Sequence, residues 1–237
     1  MCVITISREF GSEGNTIAAK VAQTLGYHLV DHAFISTILN QYGLVQFDKE
    51  YETLPGFWER FDVERDKRRD LMADMLNRVE QAVAHHGNVV ILGRSGFAIL
   101  RTFADVLRVR LQAPLSVRAA RIMTQQKMTL AEAESSLKNG DRVHGAFEEE
   151  YYRVPWESTH VFDLVINTGK ISPDLAATWL IDAAKVFTTN LEIDKPTTAS
   201  IEVDPILARA VSEALQCTAV HRQAHEQLPL IEQEIVS

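Results

Sequence analysis

The chain has 237 residues, a formal net charge of -8 and a sequence pI near 5.5. That is long enough for one full α/β core with an appendage, and too acidic for a general nucleic-acid backbone binder, which needs a clustered excess of Lys and Arg. Cys2 and Cys217 lie far apart with no metal or redox spacing, which argues against a disulfide framework and makes a reducing cytoplasm the expected setting. No run approaches the ~20 apolar residues of a membrane span, and Arg8 and Glu9 interrupt the apolar opening where a secretory core would continue.

The β-branched run Val3-Ile4-Thr5-Ile6 meets a turn containing Gly11 and Gly14, after which Ile17, Val21, Ala22 and Leu25 recur at three-to-four spacing. This predicts strand, loop and helix. Gly26 suits a left-handed helix stop, and Tyr27-His28-Leu29-Val30-Asp31 starts a second strand, giving a βαβ opening. A loop at that place offers backbone N–H groups and the positive end of a helix dipole to a phosphate. Set against GxxxxGK[ST] with Gly14 on the second glycine, Glu9 falls on the first, Asn15 on the lysine and Thr16 on the hydroxyl residue. Gly14 and Thr16 fit, Gly11 adds backbone freedom, and the lysine is missing. A glycine turn with no ligand is the competing reading.

Asp31 precedes the stripe Phe34, Ile35, Ile38, Leu39, where a carboxylate serves as a helix N-cap. Residues 40–56 read as a connection, and the segment from Phe57 to His85, free of Gly and Pro, as a long helix whose charged middle is a solvated face. His85 and His86 suit the negative end of that helix. Val89 to Leu92 is a continuous apolar run, a central parallel strand buried on both faces. It ends in Gly93-Arg94-Ser95-Gly96, where Phe97 breaks the G-x-S-x-G hydrolase pattern. Arg94, at the carboxyl end of a central strand, reads as an anion clamp, with a plain surface arginine as the alternative.

A strand follows over Val106–Leu111, and Pro114 opens a helix carrying Arg118 and Arg121 one turn apart, either to hold a triphosphate or to coat the helix. Residues 124–157 are polar, with Gly140 and Gly145 flanking Asp141-Arg142-Val143-His144, and Glu148-Glu149-Glu150 reads as a solvated face. Phe162–Thr168 predicts a last strand and Pro173 a helix to Phe187. Beyond a linker with Pro196, Asp204-Pro205 caps a helix striped by Ile206, Leu207, Ala210, Val211 and Leu215.

The run ITISREFGSEGNTIAAKVAQTLGYHLVD resembles the opening of the cytidylate kinase-like family, a divergent branch of the nucleoside monophosphate kinases. VVILGRSGFAIL and FDLVINTGK sit where that family has its third and last core strands. The resemblance spans about residues 1–187 and implies a P-loop NTPase three-layer αβα fold with a parallel sheet. It further implies helical insertions for the monophosphate and for a lid, the lid at about 124–157, and leaves 188–237 as a C-terminal helical extension.

By the same resemblance the cofactor is ATP or another nucleoside triphosphate with Mg²⁺, and the acceptor a pyrimidine nucleoside monophosphate. No nucleic acid or membrane is implied, and a homo-oligomer is left open. Arg8, Gly11, Ser12, Glu13, Gly14, Asn15 and Thr16 would hold the donor phosphates, with Thr16 on the metal, and Asp31 and Arg94 the acceptor. Arg94, Arg118, Arg121, Asp141 and Arg142 would surround the transferring group. One of Arg65, Arg68 or Arg69 is a further phosphate candidate, and Thr168, Gly169 and Lys170 are candidates for the base pocket.

Two positions depart from the family pattern: the basic residue after the loop glycines is Asn15, and the lid arginine three residues after Asp141 is His144. A kinase and a nucleotide-binding regulator or scaffold with little catalysis are therefore both compatible with the sequence. A purely structural module would bind no nucleotide. If active, the protein is expected to gain a lid cation, and rate, as His144 protonates toward about pH 6.

Overall fold

The computed structural model describes residues 2–41, 63–187 and 194–226. Strands β1 (Val3–Arg8), β2 (His28–Val30), β3 (Val89–Leu92), β4 (Val106–Gln112) and β5 (Leu164–Asn167) form one sheet in the order β2-β3-β1-β4-β5. Every pairing is parallel, with Ile6 opposite Leu92 on one side of β1 and Val109 on the other. Placing β1 at the centre explains its apolar run, because both of its faces are covered.

The pleat sorts the core into two halves. Val3, Val89, Ile91 and Val106 face α2 (His32–Gln41) and α3 (Val63–His86), while Ile4, Ile6, Val90, Leu92 and Val109 face α1 (Gly14–Leu25) and α7 (Pro173–Phe187). This is the three-layer α/β architecture expected of the chain. Gly26 ends α1 at φ 66°, its N–H donating to the carbonyls of Ala22 and Gln23, as its position after the apolar stripe predicts. Residues 42–62 lie outside the described residues, as do the side chains of Arg65, Arg68 and Arg69, so those candidates have no structural account here.

After the short α4 (Gly96–Ile99) and β4 come α5 (Leu115–Gln126) and α6 (Leu130–Tyr152). The polar stretch expected as a lid at about 124–157 is thus built mainly on one long helix, α6. It starts in a reciprocal cap, in which Thr129 Oγ1 accepts from the Glu132 N–H while the Thr129 N–H donates to Glu132 Oε2 at 2.8 Å. Gly145 fits inside it because Trp156 packs there: a Cβ would stand 2.9 Å from Trp156 Cβ.

The C-terminal extension joins the main core. Leu207, Val211 and Leu215 of α8 (Pro205–Glu226) are buried in the cluster that contains α3. Ahead of it, Asp105 accepts from the Thr198 N–H at 2.7 Å and from its hydroxyl at 2.6 Å, in a buried clasp. No described helix is long and apolar enough to cross a membrane.

Candidate phosphate-transfer site

At the carboxyl end of β1 the chain turns through Gly11 at φ 80° and Glu13 at φ 64° into the N-terminus of α1. Protein donors hold the carbonyl side of this loop. The Glu9 carbonyl accepts from the Ser12 hydroxyl at 2.6 Å, Phe10 from Arg118 at 3.3 Å, Gly11 from Arg121 at 3.0 Å and Ser12 from the Thr168 hydroxyl at 3.0 Å. With those acceptors satisfied, the loop runs into the N-terminus of α1, whose positive dipole end is suited to an anion.

A cavity of about 550 Å³ lies between this loop and α6, lined by Arg8, Gly11, Gly14, Asn15 and Thr16 from below and by Asn139, Val143 and His144 from α6. Asn15 and Thr16 are exposed in the first turn of α1, and the Thr16 hydroxyl donates to Glu13 Oε2 at 3.3 Å. Ser12 is buried under the loop.

A second strained turn stands beside the first. Gly93, Arg94 and Ser95, at the end of β3, have φ of 80°, 56° and 64°, a succession that costs energy at the two non-glycine positions and aims Arg94 into the sheet end. Arg94 is only 6 % exposed, and burial together with the neighbouring Arg8 charge brings its guanidinium down to about 9. Arg118 and Arg121 are drawn into the scaffold. Arg118 donates to both carboxylate oxygens of Asp141 and to the carbonyl of Ala113, and Arg121 donates to the carbonyl and hydroxyl of Thr168.

Arg142 is exposed and donates to Asn139, itself on the cavity lining, at 2.9 Å. Asp31 caps α2, accepting from the Phe34 N–H at 3.0 Å. Gly169 and Lys170 are exposed, while Thr168 is buried against the loop.

Two expectations change. His144 packs edge-on to Trp156, and burial, with Arg8 and Arg94 adding repulsion, lowers its pKa to about 4. It therefore stays neutral at pH 6, and the expected gain of a lid cation there does not hold. Glu148 is not part of a solvated face: it is 6 % exposed, and burial raises its carboxyl to about 7 against the pull of Arg110 and Arg8, whereas Glu149 and Glu150 are exposed.

Sequence reasoning also passed over Arg110. Its guanidinium lies 4.0 Å from the Trp156 ring centre and donates to the Ser7 hydroxyl at 3.0 Å. The available signal was a second arginine in an otherwise apolar strand, one residue past Val109. Glu80 of α3 is fully buried, and neither carboxylate oxygen has a hydrogen-bond partner among the described residues.

A parallel sheet with a left-handed glycine turn running into a helix N-terminus at its central strand defines a P-loop NTPase-like protein. Residues 3–170 match the family model described as the cytidylate kinase-like family, and the chain belongs to that family. It is 30 % identical over 176 residues to a cytidylate kinase of Natronomonas pharaonis, covering 73 % of this chain and 83 % of that one. To a cytidylate kinase of Halobacterium salinarum it is 28 % identical over 185 residues, covering 78 % and 90 %. A solved structure of an uncharacterized protein from Eubacterium ventriosum superposes with a TM-score of 0.60 at 19 % identity, covering 78 % of this chain and 99 % of that one, a likeness of fold. The family-level similarity supports a nucleotide-binding, kinase-like role.

Proposed function

We propose that this protein transfers the terminal phosphoryl group of a nucleoside triphosphate to a nucleoside monophosphate, a pyrimidine one by analogy with the cytidylate kinases it resembles. The observation that carries the reading is the pairing of two left-handed turns, one at Gly11–Glu13 and one at Gly93–Ser95, on the adjacent strands β1 and β3. The first suits donor phosphates, since it borders the cavity where the chain enters the N-terminus of α1. The second brings Arg94, whose planar fork matches the acceptor phosphate. Asp31, while capping α2, stands at the end of β2 on the acceptor side.

Thr16 is the residue fitted to Mg²⁺: it is exposed, lies in the first helical turn and needs only to give up its bond to Glu13. When bound, the metal supplies charge neutralisation to the phosphates. The protein's part is to hold donor and acceptor in line and to neutralise charge, because phosphoryl transfer through a loose transition state leaves little else for side chains to do.

A second reading, a nucleotide-binding regulator with slow turnover, is favoured by one observation. Asn15 and neutral His144 both stand where relatives place cations. Thermal-shift screening of nucleoside tri- and monophosphates with and without Mg²⁺, followed by a coupled assay on the binders, separates the two. Turnover supports the kinase, binding without turnover supports the regulator, and absence of binding removes both.

A further inference from the structure

A lysine after the second glycine is missing here, and most basic side chains near the loop have other work. Lys20 pairs with Asp174 at 2.7 Å on the outer surface. Arg118 and Arg121 hold loop carbonyls, Asp141 and Thr168, and Arg142 is bonded to Asn139 on α6.

Arg8 lines the cavity itself. Its stem crosses Gly14, where a Cβ would stand 2.7 Å from Arg8 Cγ and 3.0 Å from Arg8 Cβ. Its head rests on Gly93, where a Cβ would overlap Nη1 and stand 3.0 Å from Cζ. Gly14 is the first residue of α1 and Gly93 the residue before Arg94, so the side chain of Arg8 spans the crevice between the two turns, its guanidinium at the β3 turn. Its charge acts on both Arg94 and His144. Two guanidinium charges near enough to act on each other repel and favour an anion between them. The absence of side chains at Gly14 and Gly93 is what lets Arg8 take this path.

We infer that Arg8 replaces the missing loop lysine, its guanidinium binding the phosphoryl group as it passes from the Gly11–Gly14 loop to Arg94. The inference rests on the phosphotransfer reading above. In that step the bond from the terminal phosphorus to the bridging oxygen breaks, its electrons staying on the diphosphate, as an acceptor phosphate oxygen bonds to the same phosphorus. Arg8 exchanges no proton and spreads its donors over the equatorial oxygens, which a fork with several N–H groups does better than a lysine point charge.

The test is binding of ADP with fluoroaluminate and CMP, which mimics the group in flight, compared with ADP alone, by calorimetry on the full chain. Arg8→Met should weaken the three-component complex about 10- to 100-fold, the range of a charge-assisted bond to phosphate, and leave ADP alone within a few-fold. Arg8→Lys should lose less. The double variant Arg8→Met/Asn15→Lys, which returns the cation to its usual place, should regain most of the loss; a merely structural role for Arg8 predicts no such rescue. Unchanged binding in Arg8→Met, or an equal loss for both ligands that Asn15→Lys fails to restore, overturns the inference and leaves the kinase reading standing. No binding by the wild type overturns both.

Discussion

Arg118 on α5 and Asp141 on α6 face each other in a two-pronged ion pair, with Nη2 to Oδ2 at 2.8 Å and Nη1 to Oδ1 at 3.2 Å. The same guanidinium donates to the carbonyls of Phe10 and Ala113, so a single side chain joins α6, the loop after β1 and the end of β4. Arg118→Ala leaves a part-buried carboxylate and two carbonyls without this donor. We expect a loss of roughly 3 kcal/mol, the low end for breaking a buried pair, measured by urea unfolding. Arg118→Lys should recover only part of it, because an ammonium cannot reproduce the fork. A loss under about 1 kcal/mol, the range of surface pairs, would falsify this account of the joint.

Gly14→Val should abolish triphosphate binding while the fold survives. The new Cβ would stand 2.7 Å from Arg8 Cγ and 3.0 Å from Arg8 Cβ, so Arg8 must leave its place in the cavity lining, while Gly14, the first residue of α1, imposes no left-handed backbone strain on the change. Equilibrium binding and a thermal melt on the same sample check both halves, and retained affinity would remove the cradle.

Arg94→Ala should weaken monophosphate binding about 10- to 100-fold and triphosphate binding little, since the residue hangs from the β3 turn and not from the loop after β1. Equal losses for the two ligands would make Arg94 a residue of the scaffold.

Glu148 should make stability depend on pH. Its folded pKa is raised to about 7, above the ordinary carboxyl value of about 4.3 in the unfolded chain. Below about pH 4 both states are protonated and there is no penalty; between about 4.5 and 7 only the unfolded state gives up the proton, so stability falls as pH rises and the loss levels off above about 7. Glu148→Gln should therefore stabilise more at pH 8 than at pH 5, relative to wild type. Buried Glu80, also raised by desolvation, should act in the same direction, and Glu80→Leu should not destabilise at pH 8. His144 has the opposite sign: held neutral with a pKa lowered to about 4, it removes stability as pH falls from about 6.5 toward 4. Flat differences across pH 4–8 would show that these groups ionise alike in both states.

Asp105→Ala should loosen the C-terminal extension, stranding the buried Thr198 N–H and hydroxyl. A cost of about 1–3 kcal/mol follows from leaving such donors unpaired. Hydrogen exchange should report it first in α8, whose Leu207, Val211 and Leu215 pack on the same core half. Exchange that rises uniformly over the chain would place the clasp elsewhere in the folding cooperativity.

Local chemistry made much of this protein readable from its residues in order. The β-branched run, the stripe Ile17, Val21, Ala22, Leu25 and the glycine stop at Gly26 specify strand, loop and helix through spacing and φ alone, and Pro173 and Asp204 mark helix starts in the same way. Thr129 and Glu132 carried a capping signal for α6 as well, masked by the polar content and the glycines that follow. Tertiary structure decided which face of each helix meets which neighbour. Nothing in Glu148-Glu149-Glu150 says that the first of three identical residues turns inward; the seat of α6 over Arg110 and Arg8 does. Likewise Arg118 and Arg121 share a helix face with no hint that one reaches Asp141 and the other Thr168, residues 23 and 47 positions away. Arg8 looked like one member of a loop and is a bridge, because Gly93, far off in sequence, lies on the adjacent parallel strand and leaves room for a guanidinium. Contacts between distant segments depend on strand order and helix seating, which no local pattern encodes.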